Sequence, residues 1–156
     1  MDLVHKVFAY ITWGNRLLVF DHVDFPEDSP QVPAGTRLEH ERPETAVLRE
    51  AWEETGLEGL SIGAFLGEID FSWEGSEKVF RRRFYHVICP NSPPERWQHY
   101  EEHPSVGPPD PILFELYWVD LPNDVPELAA GHDAFLPQLI ERMRDSSSGS
   151  CCEQQG

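Results

Sequence analysis

Positive charge is scarce in this sequence. Lysine and arginine together number 12 against 28 aspartate and glutamate residues, which gives a formal net charge of −16. A chain this acidic repels the phosphate backbones of nucleic acids and the surfaces of anionic membranes. We therefore expect neither a polymeric nucleic acid nor a membrane as partner. Any phosphorylated ligand must meet a local basic patch or a metal ion.

Cysteine is also scarce, and long apolar runs are missing. The three cysteines are Cys89 and the adjacent pair Cys151 and Cys152, a spacing that fits neither a zinc site nor a complete set of disulfides. We therefore expect a reducing, cytoplasmic compartment. No run approaches the roughly 18 apolar residues that cross a bilayer. The first residues also lack the basic and apolar regions of a secretory signal.

The length and composition are sufficient for one domain with its own core. The chain has 156 residues, of which 40% are hydrophobic. We expect the domain to cover residues 1–144. Residues 145–156 are rich in serine and low in apolar content, so we expect them to form a disordered tail.

The order of apolar and turn-forming segments predicts a mixed domain of strands and two helices. Strands are predicted over residues 5–12, 16–20, 61–71, 78–88 and 113–121. Gly14 and Asn15 join the first two strands as a hairpin turn. The proline-rich stretch 89–111 is expected to be a long irregular loop, and residues 133–144 a final helix.

The first helix is the most clearly marked element. Pro43 suits its first turn, where a missing N–H costs little, and Gly56 suits its C-terminal cap. At 100° per residue, Glu50, Glu53 and Glu54 share one arc of about 100° on the helix surface. The opposite face, which we expect to pack on the sheet, holds Leu48, Ala51, Trp52 and Thr55.

Three carboxylates on one arc have two interpretations. A solvated acidic face is common in an acidic protein. However, like charges three and four residues apart destabilise a helix by about 0.2–0.5 kcal/mol per pair, unless a partner offsets them. A tight cluster of oxygen ligands suits Mg²⁺ or Mn²⁺, which leave room for water and for substrate phosphates.

The residues around this helix resemble the Nudix box, the signature of the Nudix (MutT-like) hydrolase family. The box reads Gly, five residues, Glu, seven residues, then Arg-Glu-hydrophobic-x-Glu-Glu-x-Gly-hydrophobic. Residues 35–57 match it throughout, although Ala51 is smaller than the usual aliphatic residue. The matching positions are Gly35, Glu41, Arg49, Glu50, Ala51, Glu53, Glu54, Gly56 and Leu57.

The resemblance implies both a fold and a reaction class. The implied fold is of the α+β class, an α/β/α sandwich in which a mixed β-sheet lies between helices and the box forms a loop–helix–loop. The implied reaction is the metal-dependent hydrolysis of a diphosphate that is linked to another moiety. Residues 5–144 follow the corresponding order of strands and helices.

The resemblance also implies roles for individual residues. The implied ligands of Mg²⁺, with Mn²⁺ as a substitute, are Glu50, Glu53 and Glu54, joined by the carbonyl of Ala34. Arg49 corresponds to the residue that orients these glutamates. Glu41 corresponds to an acid that pairs with Arg49 or binds a further metal ion through water.

The base that accepts a proton from the attacking water is left open by the sequence. A carboxylate close to the metal-bound diphosphate can take this role. Glu50, Glu53 and Glu115 are the candidates. Glu115 lies in a predicted strand, and the alternative for it is an outward-facing strand position without a catalytic role.

Substrate recognition is expected from basic and aromatic residues. Arg81 and Arg83 point to the same face of their strand and could contact phosphate, or they could instead neutralise carboxylates at a sheet edge. Trp73, Trp97 and Tyr100 are candidates to stack on a base. The last two belong to the long loop 89–111, where specificity often lies.

The expected function is hydrolysis of the diphosphate linkage of a nucleoside diphosphate derivative by metal-assisted attack of water. Trp73 stands near a position where dinucleoside-polyphosphate hydrolases tend to carry tyrosine, which favours nucleoside or dinucleoside polyphosphates. The partner would be a small nucleotide-type diphosphate, and the family often forms homodimers. The alternatives are a catalytically silent Nudix-like module that binds a nucleotide or a protein, and an acidic cation-binding scaffold.

Overall fold

The computed structural model describes residues 2–101 and 111–155, and within them it contains one mixed sheet and two helices. The elements are β1 (Asp2–Trp13), β2 (Arg16–His22), β3 (Ala34–Thr36), α1 (Pro43–Thr55), β4 (Ser61–Phe71), β5 (Lys78–Ile88), β6 (Arg96–Glu101), β7 (Ile112–Asp120) and α2 (Leu136–Gln155). The strand order is β4-β5-β1-β2-β7-β6, and β3 pairs with β1. The β1–β5 pair is parallel, and the other pairs are antiparallel. This architecture confirms the predicted α+β class.

The central strand β1 separates two hydrophobic cores. Its side chains alternate between the two faces of the sheet. Val7, Ala9 and Ile11 pack in the core that contains the buried residues of α1. Phe8 and Tyr10 pack in the second core, which contains Leu139 of α2. A strand covered on both faces carries few polar residues, which explains its long apolar run.

The stretch 89–111 contains a strand, so the prediction of a wholly irregular loop was wrong. β6 pairs antiparallel with β7, with Arg96 opposite Tyr117 and Glu101 opposite Ile112. No proline lies between residues 95 and 101, so every backbone N–H in this segment can join the ladder. Residues 102–110 of the predicted loop lie outside the described residues.

The last helix begins and ends later than predicted. α2 begins at Leu136 instead of residue 133, and it continues to Gln155 instead of ending at residue 144. The expectation of a tail without structure from residue 145 therefore disagrees with this helix. The serine-rich composition behind that expectation carries only a weak helix penalty, and no proline follows Pro137 within the helix. Across the described part of the chain, no helix is both long and apolar enough to cross a membrane.

We predict that Leu139→Ala destabilises the domain by about 2–5 kcal/mol, because it removes a fully buried side chain from the second core. The measurement is urea unfolding followed by circular dichroism. The matched control is Gln138→Ala on the exposed side of the same helix, which should change stability by less than about 0.5 kcal/mol. Equal effects of the two substitutions would show that α2 does not pack on the sheet.

Candidate active site

The acidic residues of α1 lie partly inside the buried face of the helix. The buried positions are Ala46, Val47, Glu50, Ala51, Glu54 and Thr55. Glu50 and Glu54 are each only 5% exposed, whereas Trp52 is 55% exposed. The prediction that Trp52 belongs to the packing face was therefore wrong. The buried stripe follows i, i+3, i+4 and i+7 from Val47, so it runs through two of the three glutamates.

Both ends of α1 are built as the sequence predicts. Pro43 occupies the first turn, and Gly56 ends the helix in the left-handed conformation, with φ at 76°. The N–H of Gly56 donates to the carbonyl of Trp52. A glycine adopts this conformation without strain, so it fixes the point at which the chain leaves the helix after Glu53 and Glu54.

Arg49 holds the neighbouring carboxylates in place. Its Nε and Nη2 donate to the two carboxylate oxygens of Glu41 at 2.8 and 3.0 Å. Its Nη1 donates to Glu50 at 2.8 Å and to Glu53 at 3.2 Å. Nη2 also donates to the carbonyl of Thr36 at 3.1 Å. Hydrogen bonds from Arg49 lower the pKa of Glu41. The carboxylates of Glu41 and Glu50 in turn raise the pKa of the Arg49 guanidinium.

The strand β3 turns backbone groups toward the glutamates. The N–H of Ala34 donates to Glu54 Oε1 at 2.6 Å. Residues on either side of β3 bond to β1, through Ala9 N–H to Pro33 and Arg37 N–H to His5. Along an antiparallel pair, residues that hydrogen-bond to the neighbouring strand alternate with residues that turn their N–H and carbonyl away from it. Ala34 is of the second kind, so its carbonyl faces away from β1, as its N–H does. The carbonyl thus lies on the side of Glu54.

Gly35 allows the close approach of β3 to α1. A Cβ atom at this position would lie 1.9 Å from Cδ of Glu50, far inside van der Waals contact. Any larger residue must displace the Glu50 carboxylate. The first glycine of the box is therefore required by the packing of Glu50.

Glu101 joins this acidic cluster, although sequence reasoning missed it. Its charge raises the pKa of Glu50 and Glu54, and burial together with Glu53 raises its own pKa. Two side chains of β6 fix the strand against the end of α1. Trp97 Nε1–H donates to the carbonyl of Thr55, and His99 Nε2–H to that of Glu53, each at 2.9 Å.

Burial and repulsion from neighbouring carboxylates shift Glu50, Glu54 and Glu101 toward the protonated form. Burial raises the pKa of Glu50 to about 7, against the pull of Arg49, and raises the pKa of Glu54 well above its ordinary value. Lys6 contributes a nearby positive charge to Glu54 and Glu101. The four carboxylates offer oxygen atoms only, which is the donor type that Mg²⁺ and Mn²⁺ prefer.

No ready-made ligand arrangement is present within residues 2–101 and 111–155, where no three acidic, histidine or cysteine side chains converge on one point. The reason is local. Glu50 turns one oxygen to Arg49, and Glu54 turns one to the N–H of Ala34. Both residues keep a second carboxylate oxygen for other partners, so the chemistry of the donor set fits a divalent ion.

Glu115 and Tyr100 lie away from the cluster. Phe114 and Leu116 pack in the core on the α1 side of the sheet, so Glu115 points to the opposite face. There it accepts hydrogen bonds from Arg96 and from Gln98 Nε2. Tyr100 is exposed on the same face as Gln98. The structure thus does not bring the predicted base Glu115 to the other acids, in line with the alternative of an outward strand position.

Three further predicted contacts with substrate have local partners instead. Trp97 uses its indole N–H on the end of α1. Arg81 donates to Asp70 at 2.9 Å, and Arg83 donates to Glu68 at 3.0 Å, both across the β4–β5 pair. The alternative that these arginines neutralise carboxylates on a neighbouring strand therefore matches the structure.

A cavity of about 260 Å³ opens beside Glu54 and Ala34. Trp73 lines it, and its stacking on a base stays a prediction. Two cations that sequence reasoning missed, Lys6 and Arg82, also line it. Arg82 stands between Arg81 and Arg83 but points to the opposite face of β5. Lys6 lies level with it on the parallel neighbour β1, a pairing that no local sequence pattern reveals.

Comparison with known protein families identifies this combination of sheet, box helix and acidic cluster. The family model described as the NUDIX domain matches residues 4–139. The chain belongs to the Nudix family. Nudix proteins are hydrolases that act on acid anhydrides in phosphorus-containing compounds, and they generally use divalent metal ions. No curated protein matches this Nudix chain.

Solved structures show the same fold at low sequence identity. A UDP-X diphosphatase superimposes with a TM-score of 0.66 and 16% identity, over 94% of this chain and 65% of that one. A MutT NUDIX hydrolase from Burkholderia pseudomallei superimposes with a TM-score of 0.63 and 22% identity, over 88% of this chain and 98% of that one. The third structure is a bifunctional NMN adenylyltransferase/ADP ribose pyrophosphatase from Francisella tularensis, complexed with AMP and a Mn ion. It superimposes with a TM-score of 0.54 and 16% identity, over 90% of this chain and 42% of that one. The chain thus spans less than two thirds of the first and third proteins.

The raised pKa of Glu50 predicts a pH dependence of stability in this Nudix domain. Its pKa is about 7 in the folded chain against 4.5 without the fold, so the folded state binds the proton more tightly. The resulting stabilisation is complete below about pH 4.5 and is lost as the pH rises through about 7. Without metal, the wild type should therefore lose about 1–3 kcal/mol between pH 5 and pH 8 relative to Glu50→Gln.

Urea unfolding in EDTA at a series of pH values measures this difference. Asp70→Asn is the control, because Arg81 lowers the pKa of Asp70 away from the glutamates, and its substitution should leave the slope above pH 5 unchanged. Parallel stability curves for wild type and Glu50→Gln would contradict a buried acid at this position.

Proposed function

We propose that this chain is a metal-dependent pyrophosphohydrolase that cleaves the diphosphate linkage of a nucleoside diphosphate derivative. One observation supports this proposal most strongly: four carboxylates act on one another around α1, and one of them lines a cavity that also carries two cations. The carboxylates are Glu50, Glu53, Glu54 and Glu101, of which Glu54 lines the cavity with Lys6 and Arg82. Such a site places candidate ligands for metal ions next to a positively charged cavity.

The proposed metal ligands are the box glutamates and the carbonyl of Ala34, with Mg²⁺ as the ion and Mn²⁺ as its substitute. When bound, the ion neutralises the charge of the diphosphate and lowers the pKa of a coordinated water. Arg49 keeps Glu50 and Glu53 turned toward each other through a single nitrogen. Glu41 is fully engaged by Arg49, so its proposed role is to hold that arginine in position.

The proposed proton acceptor is Glu101. Glu50 and Glu53 both accept hydrogen bonds from Arg49, so one carboxylate oxygen of each is already occupied. Glu101 approaches from the facing strand β6, and burial raises its pKa from the usual acidic value. A base works best when its pKa lies close to the operating pH. Glu115, one of the predicted bases, is on the other face of the sheet.

The proposed substrate is a nucleotide with a phosphate chain, so nucleoside and dinucleoside polyphosphates are favoured. Trp73 is 52% exposed at the cavity, and its edge contacts with Phe71 and Phe80 hold the ring in place. The indole can therefore stack on a base. The UDP-X diphosphatase and the ADP ribose pyrophosphatase of similar fold support a nucleoside diphosphate derivative. A cytoplasmic location and a homodimer remain predictions.

The second candidate is a catalytically silent module that binds a nucleotide or a protein. Silent members of the family usually lack one of the box glutamates. All three are present here, and Arg49 with Glu41 supports them. The enzyme is therefore the function that the site supports best.

We predict that Glu54→Gln lowers turnover by about 100-fold or more while the fold is kept, because it removes a charged metal ligand from the centre of the cluster. The measurement is Mg²⁺- and Mn²⁺-dependent release of phosphate or pyrophosphate. The substrate panel contains nucleoside di- and triphosphates, dinucleoside polyphosphates, nucleotide sugars and ADP-ribose. Circular dichroism of the variant checks the fold.

Glu115→Gln serves as the matched control, since it changes a glutamate on the opposite face of the sheet and should retain turnover within about twofold. Activity near the wild-type level in Glu54→Gln would contradict the proposed metal site. A wild type that binds nucleotides but cleaves none of the panel would instead favour the silent module.

A further inference from the structure

We propose that Lys6 and Arg82 form an anion subsite, which binds a charged group of the substrate beyond the diphosphate at the glutamates. This group is a further phosphate or a carboxylate. The proposal rests on the proposed function, because the scissile diphosphate must lie at the acidic cluster for a second group to reach the cavity. It concerns specificity, since the subsite would favour substrates with this additional charge.

The sheet brings the two cations together. Lys6 of β1 and Arg82 of β5 are directly paired in the parallel register, so their side chains leave the same face of the sheet side by side. Both line the cavity that Glu54 and Ala34 also line. A ligand at the glutamates is therefore within reach of both cations.

Neither cation has a carboxylate partner among the described residues. Lys6 Nζ donates to Thr36 Oγ1 at 3.2 Å, and Arg82 Nη1 donates to the carbonyl of Ala130 at 2.6 Å. Arg82 is only 7% exposed, and its Nε has no acceptor within residues 2–101 and 111–155. Burial lowers the pKa of both cations. Arg82 is thus a buried cation without an ion pair, and Lys6 is acted on by Glu50, Glu54 and Glu101 without a direct ion pair to any of them. A buried cation without an ion pair is costly, so an anionic ligand would be stabilised beside Arg82.

The arginines on either side of Arg82 show the contrast. Arg81 and Arg83 leave the other face of β5, and each forms an ion pair with a carboxylate of β4. In a chain with a net charge of −16, acidic partners for cations are plentiful. Lys6 and Arg82, which line the cavity, form no such ion pair among the described residues.

Aromatic rings hold the guanidinium of Arg82 in place. Its central carbon lies 4.0 Å from the ring centre of Phe71 and 5.0 Å from that of Phe8. Gly131 permits this position, since a Cβ there would lie 2.8 Å from Nη1. A guanidinium fixed in this way loses little entropy when it binds an anion.

His132 adds an uncharged donor to the cavity. Its Nδ1 accepts a hydrogen bond from the N–H of Val32 at 3.1 Å. Burial, together with Arg82 and Lys6, lowers its pKa to about 4, so the ring is neutral and carries its proton on Nε2. Lys6, Arg82 and His132 all line the cavity, so three side chains of donor type surround it, which suits the oxygen atoms of a phosphate or carboxylate. Its 260 Å³ is below the roughly 300–1,000 Å³ of sites for whole drug-sized ligands, so it fits one group of the substrate.

Two matched pairs of substrates test this subsite. A nucleoside triphosphate differs from its diphosphate by one phosphate, and a UDP-hexuronate differs from its UDP-hexose by one carboxylate. In the wild type, kcat/KM should be higher for the member with the additional anionic group in at least one pair. Arg82→Met and Lys6→Met should each lower kcat/KM about 10- to 100-fold for that member and change it less than about threefold for the other. The pair that responds tells whether the bound group is a phosphate or a carboxylate.

Arg81→Met is the matched control, since it removes the neighbouring arginine on the other face of β5 and should leave the preference unchanged. Equal losses on both members of each pair, or a wild type without preference for charge, would overturn the proposal. If Arg82→Met does not fold, Lys6→Met alone decides the question.

A binding measurement separates this proposal from the proposed function. In EDTA, inorganic pyrophosphate should raise the Tm of the wild type and of Arg81→Met, but not that of Arg82→Met or Lys6→Met. If the wild type cleaves no substrate, the proposed function fails and the subsite is judged by this shift alone. If the wild type cleaves substrates but pyrophosphate shifts all variants equally, the subsite fails and the proposed function stands.

Discussion

Repulsion between buried carboxylates is the constraint on which the site depends. Glu50 and Glu54 are placed by α1 in its buried stripe, with Glu53 at its edge. Arg49 offsets part of this repulsion by donating to Glu50, Glu53 and the supporting Glu41. The N–H of Ala34 satisfies one oxygen of Glu54, and the raised pKa values show that the remaining charge is not fully compensated. The cluster therefore favours a further cation, and its oxygen donors suit a hard divalent ion.

The sheet places two cations beside the acidic cluster, at the cavity that Glu54 also lines. The parallel pairing of β1 with β5 sets Lys6 beside Arg82 at the cavity, while β3 and β6 bring Ala34 and Glu101 to α1. Metal ions at the glutamates would bind the oxygens of a diphosphate, and the two cations are placed for a further anionic group of the same substrate. The acidic surface of the rest of the molecule makes this local arrangement necessary for any phosphorylated substrate.

Local patterns were enough to predict the mixed sheet, the bounds of β4 and β5, and α1 with its caps at Pro43 and Gly56. The box motif also located the acids that Arg49 joins. Long-range pairing was not readable: Glu101 depends on β6 docking to the end of α1, and Arg82 depends on which strand lies beside β5. For Glu115 two interpretations stayed open, because the register of a strand to the core cannot be read from one strand alone, and the structure matches the outward-facing one.

Anomalous diffraction from a crystal grown with Mn²⁺ is the sharpest test of the metal site, since it locates the ion without assumptions about the substrate. We expect a Mn²⁺ peak within bonding distance of carboxylate oxygens of Glu53 and Glu54, with Glu50 or the carbonyl of Ala34 as a further ligand. A fully occupied peak elsewhere, or none at the glutamates at millimolar Mn²⁺, would contradict it.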